Sequence, residues 1–303
     1  MEEIILHQYA ASPFSEKIRK IFGVKKLTWH AVEQPVIAPK PDLVPLTGGN
    51  RRIPVLQIGA DVYCDTALIA RVIETLAPEP TIFPADNPGA AKIIAHWADH
   101  WFFMAAVPPV IVKMLDVLPP DFVKDRQTMS PGFTAENLLA AVPDAKMRMR
   151  TSVDWVASQL EGRDYLLGSK FSVADAACFH LVWFMRNDPE SFALVTARPA
   201  LARWFERLDA MGHGDRKSLD PPEALAIARR SLPMTPEACD DSDPAGLKPG
   251  DTVRVVADDY GVEQVTGTAV VVTADEIALR REDPSVGEVI VHFPRVGYRV
   301  TKA

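Results

Sequence analysis

The chain has 303 residues, 48% hydrophobic and 24% charged, with a formal net charge of −7. That length exceeds one ordinary core and predicts two or more domains, and the composition is that of a soluble globular protein. The negative balance argues against a surface for nucleic acid or anionic lipid, and no run of eighteen apolar residues marks a membrane span.

The start, MEEIILHQYA, is acidic with a very short apolar run and does not read as a signal peptide. Residues 4–9 read as a short buried strand. Ser12-Pro13 then has the form of an N-cap followed by the first helical position. Phe14, Ile18, Ile21 and Phe22 lie on one helical face, and Gly23 is a plausible stop. Leu27 to Val32 suggests a second strand, and Pro35, Pro39, Pro41 and Pro45 mark a long irregular stretch. Ile53 to Ile58 and Val62 to Cys64 read as strands around a Gly59-Ala60-Asp61 turn. Leu68, Ile69, Val72, Ile73 and Leu76 form another helical face. Residues 1–77 therefore predict a small α/β domain.

APEPTIFPADNPGAA is a proline-rich linker. Beyond it, helical periodicity runs near 90–118, 144–161, 172–186, 199–212 and 222–231, so residues 88–232 predict an all-helical domain. The second linker, TPEACDDSDPAG, is acidic and turn-rich. After it the periodicity changes to two, in DTVRVVA, VTGTAVVVT, EIALRR and EVIVHF. Residues 247–303 predict an appended small all-β domain, with a five-strand SH3-like barrel as the expected form. The three cysteines, Cys64, Cys178 and Cys239, are far apart and form no CxxC or Cys/His cluster. Neither a zinc site nor a disulfide framework is expected, and a reduced, cytoplasmic setting is the default.

Pro54, just before a strand, cannot donate a ladder hydrogen bond. A cis Ile53-Pro54 bond would turn the Ile53 N–H and C=O outward, where they could pair with an extended peptide ligand. A strand, SPFS opening a helix, RRIPVL and then DTALIA occur here in order. This set resembles the thioredoxin-like half of the glutathione transferases, the serine-type and tau classes above all. The resemblance covers roughly residues 4–232 and is strongest over the first 77. It implies a thioredoxin-like domain followed by a helical one, a homodimer, and conjugation of the glutathione thiolate to a small hydrophobic electrophile, as in detoxification.

Carried over one position at a time, the resemblance gives Ser12 as the hydroxyl that donates to the glutathione sulfur. It gives Ile53, ahead of Pro54, as the residue whose backbone pairs with the cysteinyl part. Arg52 becomes the basic residue for the glycine carboxylate. Asp65 and Thr66 become the pair that grips the γ-glutamyl end, Asp65 being one carbon shorter than the family's glutamate.

Elementary chemistry agrees. A thiol like that of cysteine has a pKa of roughly 8.5, and lowering it by about 2 units takes roughly 2.7 kcal/mol. A helix N-terminus supplies about 0.3–1 kcal/mol, up to about 2 in favourable geometry. A charge-assisted hydrogen bond from Ser12 can supply the rest. Ser12 is also simply a good helix cap; Ser15 and Tyr9 are rivals for its role. A cysteine at position 12 would have pointed to thiol exchange.

Other motifs read as structure. Ser172 with Asp175 is a capping box, with Phe171 placed for a thin hydrophobic staple on Ala176. His96 and His100 share a helix face without a third ligand and are assigned to packing, so no metal is expected. Trp101 and Met104 are candidates to line the electrophile pocket. Residues 247–303 carry seven Lys/Arg against nine Asp/Glu, which speaks against nucleic-acid binding; the cluster Phe293, Arg295, Tyr298 and Arg299 is read as structural or oligomerising. None of the residues matched to glutathione lies beyond Thr66, so a chain ending near Ala238 is expected to fold and bind glutathione. The alternative function is a binding or scaffold protein of the same fold without turnover.

Overall fold

The computed structural model describes residues 3–233, 239–240, 242–261 and 263–303. Residues 235–238 and Asp241 of the acidic linker, like Met1 and Glu2, lie outside the described residues.

The first domain runs β1 (Ile5–Gln8), α1 (Pro13–Val24), β2 (Thr28–Glu33), α2 (Val44–Thr47), β3 (Val55–Ile58), β4 (Asp61–Cys64) and α3 (Thr66–Leu76). β2 is parallel to β1, β3 antiparallel to β1, and β4 antiparallel to β3. This is the thioredoxin-like order. The strands are apolar on both faces because both faces are covered: Leu6, Leu56 and Tyr63 join the core under α1 and α3, whereas Val55, Val62 and Cys64 join a second core on the other side. α1 starts as its sequence suggests, with Ser12 as N-cap and Pro13 in the first turn. It does not stop at Gly23. The helix continues to Val24, and a Cβ at Gly23 would lie 2.4 Å from the Gly212 carbonyl oxygen, so this glycine serves a close approach.

The helical region comprises α4 (Pro88–Trp97), a π-helical turn (Ala98–Phe102), α5 (Phe103–Met114), α6 (Phe122–Met129), α7 (Ala135–Gln159), α8 (Val173–Met185), α9 (Pro189–Thr196) and α10 (Pro199–Ala210). β5 (Asp215–Ser218) then returns to pair in parallel with β2, and α11 (Pro221–Arg230) covers the sheet. α8 is buried nearly all round and packs against α1, α4 and α5. Its capping box forms: Asp175 Oδ2 accepts from the Ser172 N–H at 2.9 Å and from its hydroxyl at 2.8 Å, while Oδ1 accepts from the Leu166 N–H and the Trp204 indole. Burial raises the Asp175 pKa against these bonds. Asp175 is a buried structural hub.

The tail consists of β6 (Thr252–Ala257), β7 (Gln264–Val272), β8 (Glu276–Asp283), β9 (Gly287–Pro294) and β10 (Tyr298–Lys302), in the order β10-β6-β7-β8-β9. The sequence leads one to expect a module that merely packs on the body. Instead β9 pairs in parallel with β4, and the tail extends the first domain's sheet to ten strands. Their core is shared. Leu43, Leu46, Val55, Val62 and Cys64 of the first domain pack in one cluster with Val253, Val255, Ile277, Leu279, Val291 and Phe293 of the tail. Among the described residues, no helix is long and apolar enough to cross a membrane.

Candidate functional site

A cavity of about 940 Å³ opens where the three parts of the chain meet. The first domain contributes Phe14, Lys17, Arg52, Ile53, Pro54, Asp65 and Thr66; the helical region contributes Asp99, Trp101, Phe103 and Met104; and the tail contributes Asp259, Tyr260, Val296 and Tyr298. Seven of the eight residues singled out in the sequence thus face one space. Trp101 and Met104 are 69% and 54% exposed and stand on its outer wall.

The Ile53-Pro54 bond is cis, just before β3. Asp65 caps α3, with Oδ1 accepting the Ala67 N–H at 2.8 Å. The short side chain therefore reaches its own helix end. Asp65 has φ +79, a backbone region that a non-glycine residue enters at a cost of order 1–3 kcal/mol. Burial raises its pKa against the Ala67 bond and the nearby Lys17. Thr66 is the first residue of α3 rather than its cap, so its N–H is one of the helix's free donors.

Behind Thr66 lies a group that the sequence does not single out. Lys17 Nζ donates to Thr66 Oγ1 at 3.0 Å and to Asp99 Oδ2 at 2.5 Å. His180 Nε2 lies 3.2 Å from Asp99 Oδ1, and its ring packs 5.0 Å from that of Phe14. Burial alone would raise the Asp99 pKa, but Lys17 and His180 outweigh it and hold the carboxyl below its ordinary value. Burial lowers the His180 pKa, so a neutral ring donating from Nε2 is the consistent state. Lys17 and Asp99 come from α1 and the π-helical turn, far apart in sequence. No local spacing could have paired them.

Ser12 is placed differently. It is 2% exposed, and its Oγ accepts the Ser15 N–H at 3.1 Å, leaving the hydroxyl proton free to donate. Unlike the other seven, it is not among the residues that line the cavity, to which the start of α1 contributes Phe14 and Lys17. Tyr9, its rival, offers its carbonyl to the Ser12 N–H, and its ring lies 5.6 Å from Lys40 Nζ. The His96 and His100 rings lie 4.1 Å apart and tilted to each other, with His100 Nδ1 2.9 Å from the His96 carbonyl.

A thioredoxin-like sheet with a cis-proline turn, an acidic-hydroxyl pair at a helix start and an all-helical region beside it defines the class of thiol-binding transferase folds. Family models agree: the glutathione S-transferase N-terminal domain matches residues 6–81 and the C-terminal domain residues 139–207. The chain is 38% identical to a GST-like protein from Pseudomonas syringae over 100% of both chains, tail included, with a TM-score of 0.85. This chain belongs to the glutathione transferase family. A glutathione S-transferase III in apo form (23% identity, 69% of this chain, 92% of that one, TM-score 0.54) shares the fold. So does the Tau class glutathione S-transferase of mango, Mangifera indica (20% identity, 69% and 89%, TM-score 0.51). A search of curated proteins returned no match.

Proposed function

We propose that this protein binds glutathione in the three-walled cavity and conjugates its thiolate to a small hydrophobic electrophile. The observation that carries the reading is the convergence of Arg52, Ile53-Pro54 and Asp65-Thr66 on one cavity. In this reading the γ-glutamyl carboxylate meets the Thr66 N–H and hydroxyl at the positive end of α3, with Lys17 behind them. Its ammonium meets Asp65, and the cysteinyl backbone pairs with Ile53. The sulfur lies at the start of α1, where the Ser12 hydroxyl donates to it and favours the thiolate. The thiolate forms a C–S bond to the electrophile, whose leaving group departs with the bonding pair, or whose π-bond takes the pair if the reaction is an addition. Trp101, Phe103 and Met104 flank that approach. By family resemblance the protein works as a cytoplasmic homodimer in detoxification.

Ser12→Ala is expected to lower conjugation of a generic aromatic electrophile by about 10- to 100-fold, the size of one charge-assisted hydrogen bond, with glutathione affinity little changed. Arg52→Ala and Thr66→Ala act on affinity instead. A normal rate in Ser12→Ala together with a loss in Tyr9→Phe would move the role to Tyr9. A second reading, a glutathione-binding or scaffold protein without turnover, is favoured by the near-complete burial of Ser12. Retention on immobilised glutathione with no conjugation by the wild-type protein would decide for it.

A further inference from the structure

The glutathione reading, on which this inference rests, assigns the glycine end of the tripeptide to Arg52. In the structure Arg52 already holds a carboxylate. Its Nη2 donates to Asp259 Oδ1 at 2.6 Å, and its Cζ lies 4.1 Å from the centre of the Tyr260 ring. The next residue, Gly261, has φ +94, and a Cβ there would come within 3.1 and 3.2 Å of Arg52 Nη2 and Nε. The Gly261 N–H donates to the Met129 carbonyl at 2.8 Å, which ties this turn of the tail to the end of α6. Asp259 is thus not a passing neighbour: the turn that carries it wraps Arg52 on two sides.

The other cations that the first domain turns into the cavity are committed as well. Lys17 is paired with Asp99, and Arg71 lies 3.4 Å from both Asp275 and Glu276. A carboxylate arriving beside Arg52 would stand next to Asp259, two like charges sharing one cation in a partly enclosed space. A carboxylate also offers acceptors only, and among the described residues the seat presents one acceptor, Asp259, beside the other N–H donors of the guanidinium. An amide has the matching pattern: its carbonyl accepts from Arg52 and its N–H donates to Asp259.

We propose that Asp259 is a specificity-determining residue, and that it makes the site prefer γ-glutamylcysteinyl thiols whose glycine end is an amide over those ending in a free carboxylate. The chemical class is glutathione amide and glutathione joined through its glycine carbonyl to an amine.

The test is titration calorimetry of the full chain with two peptides, glutathione and its glycine carboxamide, on the wild type and on Asp259→Asn. The expected result is a preference of about tenfold or more for the carboxamide in the wild type. Asp259→Asn is expected to tighten glutathione by a similar factor and to erase the preference, since the like charge is removed while Arg52 remains. Tighter binding of the free acid by the wild type overturns the proposal, and so does an unchanged preference in Asp259→Asn. If Asp259→Asn does not fold, the wild-type preference alone decides. Binding of neither peptide defeats the glutathione reading itself and takes this inference with it; equal binding of both defeats only the role of Asp259.

Discussion

The helices α4 to α10 grip the first domain through side chains, whereas the tail adds main-chain strand pairing to a shared side-chain core. At the first seam α1 packs against α8, and the polar groups inside the contact include Lys17, Asp99 and His180. At the second seam β9 adds to β4, and the polar group inside is His292, whose Nδ1 lies 2.7 Å from Glu276 and Nε2 3.0 Å from Asp61, with its ring stacked 4.3 Å from Tyr63. The contrast has a physical cause. A helix has satisfied its backbone and can dock only by its side chains, while β4 without β9 would be an unpaired edge. Losing β9 therefore opens the whole of β4 at once.

Removing the tail breaks the comparison most severely. The acidic linker suggests that the chain can be cut there, and the shared core says the opposite. A chain ending at Pro233 leaves β4 as an open edge and uncovers Leu43, Leu46, Val55 and Val62. The expected outcome is aggregation or loss of the cooperative melt, because the lost burial rivals the whole stability of about 5–15 kcal/mol. Size-exclusion chromatography and thermal unfolding check it. A monodisperse truncated protein with a wild-type melting temperature would show that the tail is an accessory after all.

At the helical seam, Asp99→Ala strands Lys17 without its counter-charge inside the protein. Removing one partner of a buried pair costs about 3–5 kcal/mol, whereas replacing both by apolar groups is often neutral. Asp99→Ala is therefore expected to lower stability by about that amount in denaturant unfolding, and the double variant Lys17→Met/Asp99→Leu to recover most of it. Equal losses in the single and double variants would mean that the pair contributes net stability of its own.

How legible this was depended on range. Ser12 as N-cap, the cis Pro54 turn, the α3 start at Asp65-Thr66 and four of the tail strands all write themselves within a few residues, as a cap, a proline or a period of two. Lys17, Asp99 and His180 are invisible that way: a lysine on an amphipathic helix reads as surface, and an aspartate amid tryptophans has no local partner. The same holds for Asp259 on Arg52, 207 residues away. Gly23 was legible as special but for the wrong reason, since close approach to Gly212 and a helix stop select the same residue. The tail strands were legible, but the partner of β9 was not, because nothing in a strand's own sequence names its neighbour. α6, α9 and β5 are short, and β5 is exposed along its length, so none carries a clear apolar period.

Two buried histidines sharpen the comparison on a finer scale, because they sit in one sheet and shift in opposite directions. His7, in the middle of β1, lies between Gln57, 2.8 Å from its Nε2, and Gln34, 3.2 Å from its Nδ1. Burial among neutral partners lowers its pKa to about 4. His292, at the seam, is also opposed by burial, but Asp61 and Glu276 outweigh it and raise its pKa above the ordinary value. The signs follow. The contribution of His7 is present above its unfolded pKa near 6.5 and is lost as the pH falls toward about 4, at most roughly 3 kcal/mol for a shift of that size. The contribution of His292 is complete below about 6.5 and is lost as the pH rises through its folded value. It reflects the two carboxylates outweighing the desolvation that opposes them. Unfolding measured from pH 4 to 9 is expected to lose an acid-side slope in His7→Gln and an alkaline-side slope in His292→Gln, with His292→Gln costing more at pH 6 than at pH 9. A His292→Gln penalty that is the same at both ends would show that the ring serves at the seam by its stacking on Tyr63 alone, and the β4–β9 junction would then owe nothing to charge.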